Sequence, residues 1–349
     1  MADARAKLQA AAAQHILIKD GPYGTAIQQA KLAAADYAGD TGLAQDQKGN
    51  NDLVNLTQPQ LIRAICDSYI AAGATVLATN TFNANRISQA DYGAEHLVRE
   101  INVAAARIIR EACDDASARD GVARFVCGAM GPTNKTLSLS PDVEDPGFRE
   151  VTFDEVKSVY REQAAALVEG GADFVLIETV FDTLNCKAAI MAVKELEAEL
   201  GREVPLMISL TLTDLSGRNL SGHTVEAFWY AVRHAKPVTI GLNCSFGADQ
   251  LRPHVQLLSG IADTLLMAYP NAGLPNELGE YDELPETTAA LVRQWAEGGR
   301  VNILGGCCGS TPAHIAAVAR AVQGLTPRQV PALAPAMRLA GLEPFTIAA

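Results

Sequence analysis

Val301-Asn302-Ile303-Leu304 runs directly into Gly305-Gly306-Cys307-Cys308-Gly309 and then into Ser310-Thr311-Pro312. A short β-branched run, a glycine-rich stretch and a Thr-Pro helix start read as a buried strand, an open loop and a helix, in that order. The same grammar recurs outward from this point. Short apolar runs at 15–19, 75–79, 124–128, 173–178, 205–211, 237–242, 264–268 and 301–304 alternate with longer stretches of helical period. Thr57-Gln58-Pro59-Gln60 and Thr152-Phe153-Asp154-Glu155 fit the capping box of a helix start. Strict strand and helix alternation allows a (β/α)8 barrel or a doubly wound sheet. Eight strands and the lack of any Pro/Ser-rich linker favour a single TIM-type barrel with long loops over its C-terminal face. The barrel is assigned to 15–325, with an N-terminal helix at 1–14 covering one end and a C-terminal extension at 326–349.

The bulk properties narrow the class of function. Of 349 residues, 48% are hydrophobic and 19% charged, which describes a folded globular chain. No apolar run approaches the roughly 20 residues of a membrane-spanning helix. A net charge of −12 argues against a nucleic-acid partner, which calls for a basic surface. Seven cysteines spread over this length do not form a disulfide framework. The first residues carry Asp3, Arg5 and Lys7 and lack the continuous apolar centre of a signal peptide, so a cytoplasmic location is expected.

The unusual residues all fall at the carboxyl ends of the expected strands. Asp20-Gly21-Pro22-Tyr23-Gly24-Thr25 follows the first, Asn80-Thr81-Phe82-Asn83 the second, Gly131-Pro132-Thr133-Asn134 the third, and Glu178-Thr179 closes the fourth. Thr213-Asp214, Asn243-Cys244, Asn271-Ala272-Gly273 and Cys307-Cys308 follow strands five to eight. In a barrel these ends share one face, where active sites of this architecture lie. Strands six and eight are both even-numbered and feed the same interior layer, so Cys244 is expected to reach the cysteine pair without distortion of the barrel. Neighbouring side chains of a strand point to opposite faces, so Cys307 and Cys308 converge only where the backbone leaves the strand, and the flanking glycines permit that. Cys66, Cys113, Cys127 and Cys186 sit singly in apolar stretches and read as core filler. A strained vicinal disulfide is the rival account of Cys307 and Cys308, and disulfides are rare in a reducing cytosol.

Three thiolates at one point suit Zn²⁺ and leave one coordination position for substrate. Such a centre is electron-rich, unlike the His and carboxylate sites that bring bound water to a pKa of about 7. It suits a thiol, which is deprotonated on binding and stays nucleophilic. The implied chemistry is transfer of an electrophilic group, most simply methyl, onto a substrate thiol.

Gly131-Pro132-Thr133-Asn134 with Ser140-Pro141-Asp142-Val143, the run Ile177-Glu178-Thr179-Val180-Phe181-Asp182-Thr183-Leu184-Asn185, Asn271-Ala272-Gly273-Leu274-Pro275-Asn276 and Gly305-Gly306-Cys307-Cys308-Gly309 strongly resemble the homocysteine-binding domain of cobalamin-dependent methionine synthase. The resemblance covers nearly the whole chain. It implies a barrel that binds zinc through Cys244, Cys307 and Cys308 and methylates homocysteine, with methylcobalamin as donor on a cobalamin- and folate-binding module or partner chain. No Asp-x-His-x-x-Gly cobalamin motif is present here. Glu178 reads as the partner of the substrate ammonium, against a solvated strand-end charge, with Asp20 a second acid. Backbone N–H groups around Gly21, Gly24 and Thr25 are candidates for the substrate carboxylate. Asn271 is placed to offer an oxygen to zinc, and Asn80 and Asn243 to orient substrate or satisfy loop backbone. The chain departs from the family in Ala78, where glutamate is usual, and in Gly21-Pro22-Tyr23-Gly24. Two rival functions remain: a stand-alone enzyme taking methyl from S-methylmethionine or betaine, and a noncatalytic zinc or thiol-binding module.

Overall fold

A computed structural model of the chain describes residues 4–348. Eight parallel strands form one sheet: β1 Leu17–Ile18, β2 Val76–Ala78, β3 Phe125–Met130, β4 Phe174–Val180, β5 Leu206–Leu210, β6 Thr239–Gly247, β7 Leu265–Asn271 and β8 Ile303–Leu304. From β2 to β8 each pairs with the next, and β8 returns to β1 through Leu17↔Ile303 and Ile18↔Leu304. The seam between β1 and β2 is bridged at Lys19↔Val76 and by the Thr75 and Asp20 amides, which donate to Ile18 and Val76 carbonyls. The expected (β/α)8 barrel is therefore the architecture formed. Its outer helices are Pro59–Ala71, Val98–Asp120, Phe153–Glu169, Thr183–Leu200, Val225–Val232, Ala248–Ile261, Pro285–Glu297 and Pro312–Val322.

Strand parity sorts the core into two layers. Leu17, Val76, Phe125, Phe174, Leu176, Met207, Met267 and Ile303 fill the barrel interior, while Val175, Ile177, Ile208, Ile240 and Leu266 pack outward under the helices. The N-terminal helix, Ala4–Gln14, inserts Leu8 and Ala12, one turn apart, into the amino end of that interior. Residues 1–3 of the expected 1–14 helix, and residue 349, lie outside the described residues. The segment after 325 carries an antiparallel hairpin of β9 Ala336–Ala340 and β10 Pro344–Ala348.

Local start signals behave as hydrogen-bond chemistry requires, with one exception. Thr152 accepts from the Glu155 amide while Glu155 accepts from the Thr152 amide, and Thr311 forms the same box with the His314 ring. At 57–60 there is no box. Thr57 ends a short preceding helix, Val54–Thr57, and Gln58 takes the N-cap without a side-chain bond, leaving Pro59 at the first helical position to set the start. Strands β6 and β7 also run beyond the expected 242 and 268, because Asn243↔Tyr269 and Gly247↔Asn271 continue their ladder past an irregularity. No helix among the described residues is long and apolar enough to cross a membrane.

Candidate active site

Parity also decides what faces the carboxyl mouth. Continuing the inward register of each strand past its apolar residues places Lys19, Ala78, Glu178, Asn243, Tyr269 and Cys307 at the top of the interior, and all six line one cavity of about 450 Å³. Gly21, Gly24, Thr25 and Asn80 line it as well, with Cys244, Cys308, Asp52, Thr179 and Tyr281. The sequence-level candidates are thus gathered at one mouth, with two placed differently. Asp20 lies beneath the cavity and does not line it: it is fully buried, with Oδ1 taken by the Lys19 ammonium at 2.8 Å and Oδ2 by the Ala78 amide at 2.8 Å. Asn271 is buried at the end of β7, also outside the lining, and its Oδ1 has no partner among the described residues.

The three sulfurs of Cys244, Cys307 and Cys308 lie within 4.8 Å of one another, and Cys244 Sγ is 3.8 Å from Cys308 Sγ. Tetrahedral sites with Zn–S near 2.3 Å require about 3.8 Å between sulfurs, so the spacing fits that metal. Cys244 reaches the pair with the barrel intact, through a local kink that strand order does not reveal. Leu242 points outward, so an unbroken strand would send Asn243 inward and Cys244 outward. Instead Cys244 and Ser245 take left-handed backbone at φ 58° and 65°, and the register slips between Asn243 and Gly247. The kink turns Cys244 into the mouth. Cys307 and Cys308 follow the end of β8 at Leu304, as the glycines anticipate, with the Cys307 amide on Pro270 O and the Ala272 amide on Cys308 O. Gly309 has φ 77°, and a Cβ there would stand 2.3 Å from the Tyr281 ring, so Tyr281 packs onto the pair through glycine's lack of a side chain.

Three close sulfurs cannot all carry charge without a cation. Hydrogen bonds from Cys244 and then Cys307 pull the Cys308 thiol down to about 3, while contacts with Cys244 and then Cys308 push Cys307 up. Cys244 also stands above its ordinary value. Cys308 is thus the thiol that ionises most readily, and a dication is the group that would let all three ionise. The orphaned buried Asn271 Oδ1 is a further oxygen suited to such a cation.

Asn243 is the brace of the cluster. Its Oδ1 accepts from the Thr179 amide at 3.2 Å and from Ser209 Oγ at 2.7 Å, and its Nδ2 donates to Thr179 Oγ1 at 2.9 Å. Thr179 is itself left-handed, at φ 57°. Glu178, half-buried, accepts from the Tyr269 hydroxyl at 3.0 Å, and burial raises its pKa against the opposing pull of Lys19. Burial opposes the charged form of Lys19, but Asp20 and Glu178 outweigh it and the net shift is upward. Asp52 accepts from the Asn83 amide, and burial pushes its pKa up to about 7.

Lys19, Asp52, Tyr269 and Tyr281 were not singled out by motif reading. Parity could have found the first and third: Leu17 and Met267 point inward, and Lys19 and Tyr269 lie two residues further on. Cys66, Cys113, Cys127 and Cys186 are buried free thiols.

A (β/α)8 barrel with a three-sulfur cluster beside an acid-lined cavity defines the class: a barrel whose mouth could hold a soft metal beside a small substrate. The chain belongs to the homocysteine S-methyltransferase family, whose sequence model, described as Homocysteine S-methyltransferase, matches residues 17–322. Membership makes it a methyltransferase with homocysteine as acceptor. Among solved structures, the homocysteine methyltransferase MmuM from Escherichia coli shares the fold. Its metallated form aligns at 24% identity and a TM-score of 0.68, covering 87% of this chain and 96% of that chain. Its oxidized form aligns at 22% identity and a TM-score of 0.69, covering 88% and 96%.

Proposed function

We propose that this chain activates homocysteine at a zinc site formed by Cys244, Cys307 and Cys308, for methyl transfer from methylcobalamin carried by a folate- and cobalamin-binding module or partner chain. The sulfur triad at zinc spacing, opening on a cavity that also contains Glu178, is the observation that carries this reading. Zinc held there would supply a position at which a thiol binds without its proton.

The chain's own groups do the rest. Glu178, aligned by the Tyr269 hydroxyl, receives the substrate ammonium, and the amides of Gly21, Gly24 and Thr25 are available to its carboxylate. Asn271 Oδ1 is the oxygen available to the metal side of the site before substrate arrives, and Asn80 and Asn243 keep the surrounding backbone in place through bonds to Asn51 O and Thr179. The substrate sulfur forms the new S–CH3 bond, and the electrons of the broken methyl bond leave with the donor. Asp20 acts from below, through Lys19.

Coverage of 96% of MmuM by this chain supports a second reading, a self-contained enzyme that takes methyl from S-methylmethionine or betaine. The long methionine-synthase-like motifs at 131–143, 177–185 and 271–276 support methylcobalamin instead. The test measures bound zinc and homocysteine methylation with each donor, in the parent and in Cys307→Ala. Methylation from methylcobalamin, lost together with zinc in the variant, is expected. Turnover confined to S-methylmethionine or betaine would support the second reading. Bound zinc without methylation by any donor would point to a noncatalytic module, and an active zinc-free variant would refute the mechanism.

A further inference from the structure

The motifs leave one charged group without a task. Lys19 is 4% exposed yet lines the cavity, and it is the one Lys, Arg or His side chain among the described residues that does so. An ammonium offers three donors. One bonds Asp20 Oδ1 at 2.8 Å, the one hydrogen bond recorded for this ammonium among the described residues, and its nitrogen lies 4.6 Å from the centre of the Tyr269 ring. The Tyr269 hydroxyl in turn holds Glu178. A cation and a carboxylate therefore flank the same aromatic ring, at the end of the cavity where the substrate's polar head group would lie. Asp20, fully buried and outside the lining, secures Lys19 from beneath and leaves the positive end of the pair at the cavity wall.

We propose that Lys19 is a specificity-determining residue that reads the carboxylate of the acceptor, so that Glu178 and Lys19 together select a zwitterionic α-amino acid thiol over a thiol bearing an amine alone. This rests on the reading of homocysteine as the bound acceptor and deepens it. An amino acid carries its ammonium and carboxylate on one carbon, and the two opposite charges around Tyr269 are the matching pair. Backbone amides of the Gly21 to Thr25 loop can orient the same carboxylate, but Lys19 is the one full positive charge that the described residues bring to the cavity.

The test compares homocysteine with 3-aminopropane-1-thiol, the same molecule without its carboxylate, by calorimetric binding to the zinc-loaded protein. The parent should prefer homocysteine. Lys19→Met should lower that preference at least about tenfold, since a hydrogen bond to a charged group is lost, while binding of the amine thiol stays within about twofold. Lys19→Arg should keep the preference. Because Lys19→Met leaves Asp20 unpaired, Lys19→Met with Asp20→Asn is measured beside it and should behave alike, with zinc content and circular dichroism matching the parent. An unchanged preference in both Met variants, or an equal loss for both thiols, overturns the assignment while leaving the homocysteine reading intact. A parent that binds no homocysteine sinks both.

Discussion

Replacing Asn243 by alanine tests whether the cluster depends on a brace that touches no metal. The side chain is almost fully buried and makes three hydrogen bonds to nitrogen and oxygen partners, the Thr179 amide, Thr179 Oγ1 and Ser209 Oγ, besides a long one from Nδ2 to Cys307 Sγ at 3.9 Å. At about 1 kcal/mol net for each, the loss is about 3 kcal/mol, and the Thr179 amide is left without its acceptor. For a chain of this size that corresponds to a fall in Tm of about 4 °C. The consequence for the site is larger than the number suggests. Thr179 and Cys244 both hold left-handed backbone, a conformation costing about 1 to 3 kcal/mol that persists only where its surroundings enforce it. Without Asn243 the kink at Cys244 relaxes toward ordinary strand geometry and its sulfur turns away from Cys308. Thermal unfolding followed by circular dichroism, with zinc per chain measured on the same samples, checks both effects. Asn243→Asp keeps the acceptor oxygen and should retain more stability than Asn243→Ala. An alanine variant that melts within about 1 °C of the parent and holds a full complement of zinc would refute the bracing role.

Tyr269→Phe removes the donor that aligns Glu178 and should raise KM for homocysteine about tenfold with little change in kcat, measured by steady-state kinetics. Asp52 binds its proton more tightly folded than unfolded, because burial lifts its pKa to about 7. Its contribution to stability is therefore complete below about pH 4 and is lost as the pH rises through 7, and Asp52→Asn should raise Tm more at pH 8 than at pH 5. Thermal melts at the two values give the comparison, and an equal effect at both would count against it. Gly309→Ala forces a Cβ to 2.3 Å from the Tyr281 ring at a left-handed φ, so it should cost about 2 kcal/mol and lower zinc occupancy, read from melting and metal analysis.

Much of the site was legible because barrel strands obey a two-residue period. The eight apolar runs, the alternating helices and the glycines around Cys307 and Cys308 identify the barrel and locate its mouth, since strand ends of one direction must meet on one face. Where the reading fell short, the missing information was conformational or non-local. The Thr57 box failed because the preceding residues form their own short helix, and a four-residue pattern does not register that neighbour. Strand order brings Cys244 towards the pair, but the even parity it shares with Leu242 points it outward, and two left-handed residues reverse it. Asp20 looks like a free acid in Asp20-Gly21, yet it is spent on Lys19 and the Ala78 amide, 58 positions away.

Sequence by itself determined the fold and the chemical type of the centre, because hydrophobic period and the softness of thiolate ligands are properties of residue types and their local spacing. Tertiary structure decided which groups face the substrate: the 3.8 Å approach of Cys244 to Cys308, the brace from Asn243 to Thr179, and the opposed charges of Lys19 and Glu178 on Tyr269. Those depend on strands up to 250 residues apart being brought within a few ångströms by barrel closure, as β1 is to β7 through the 4.6 Å contact of Lys19 with Tyr269. Hydrogen bonds and Coulomb forces act over such distances in space, with no regard to distance along the chain.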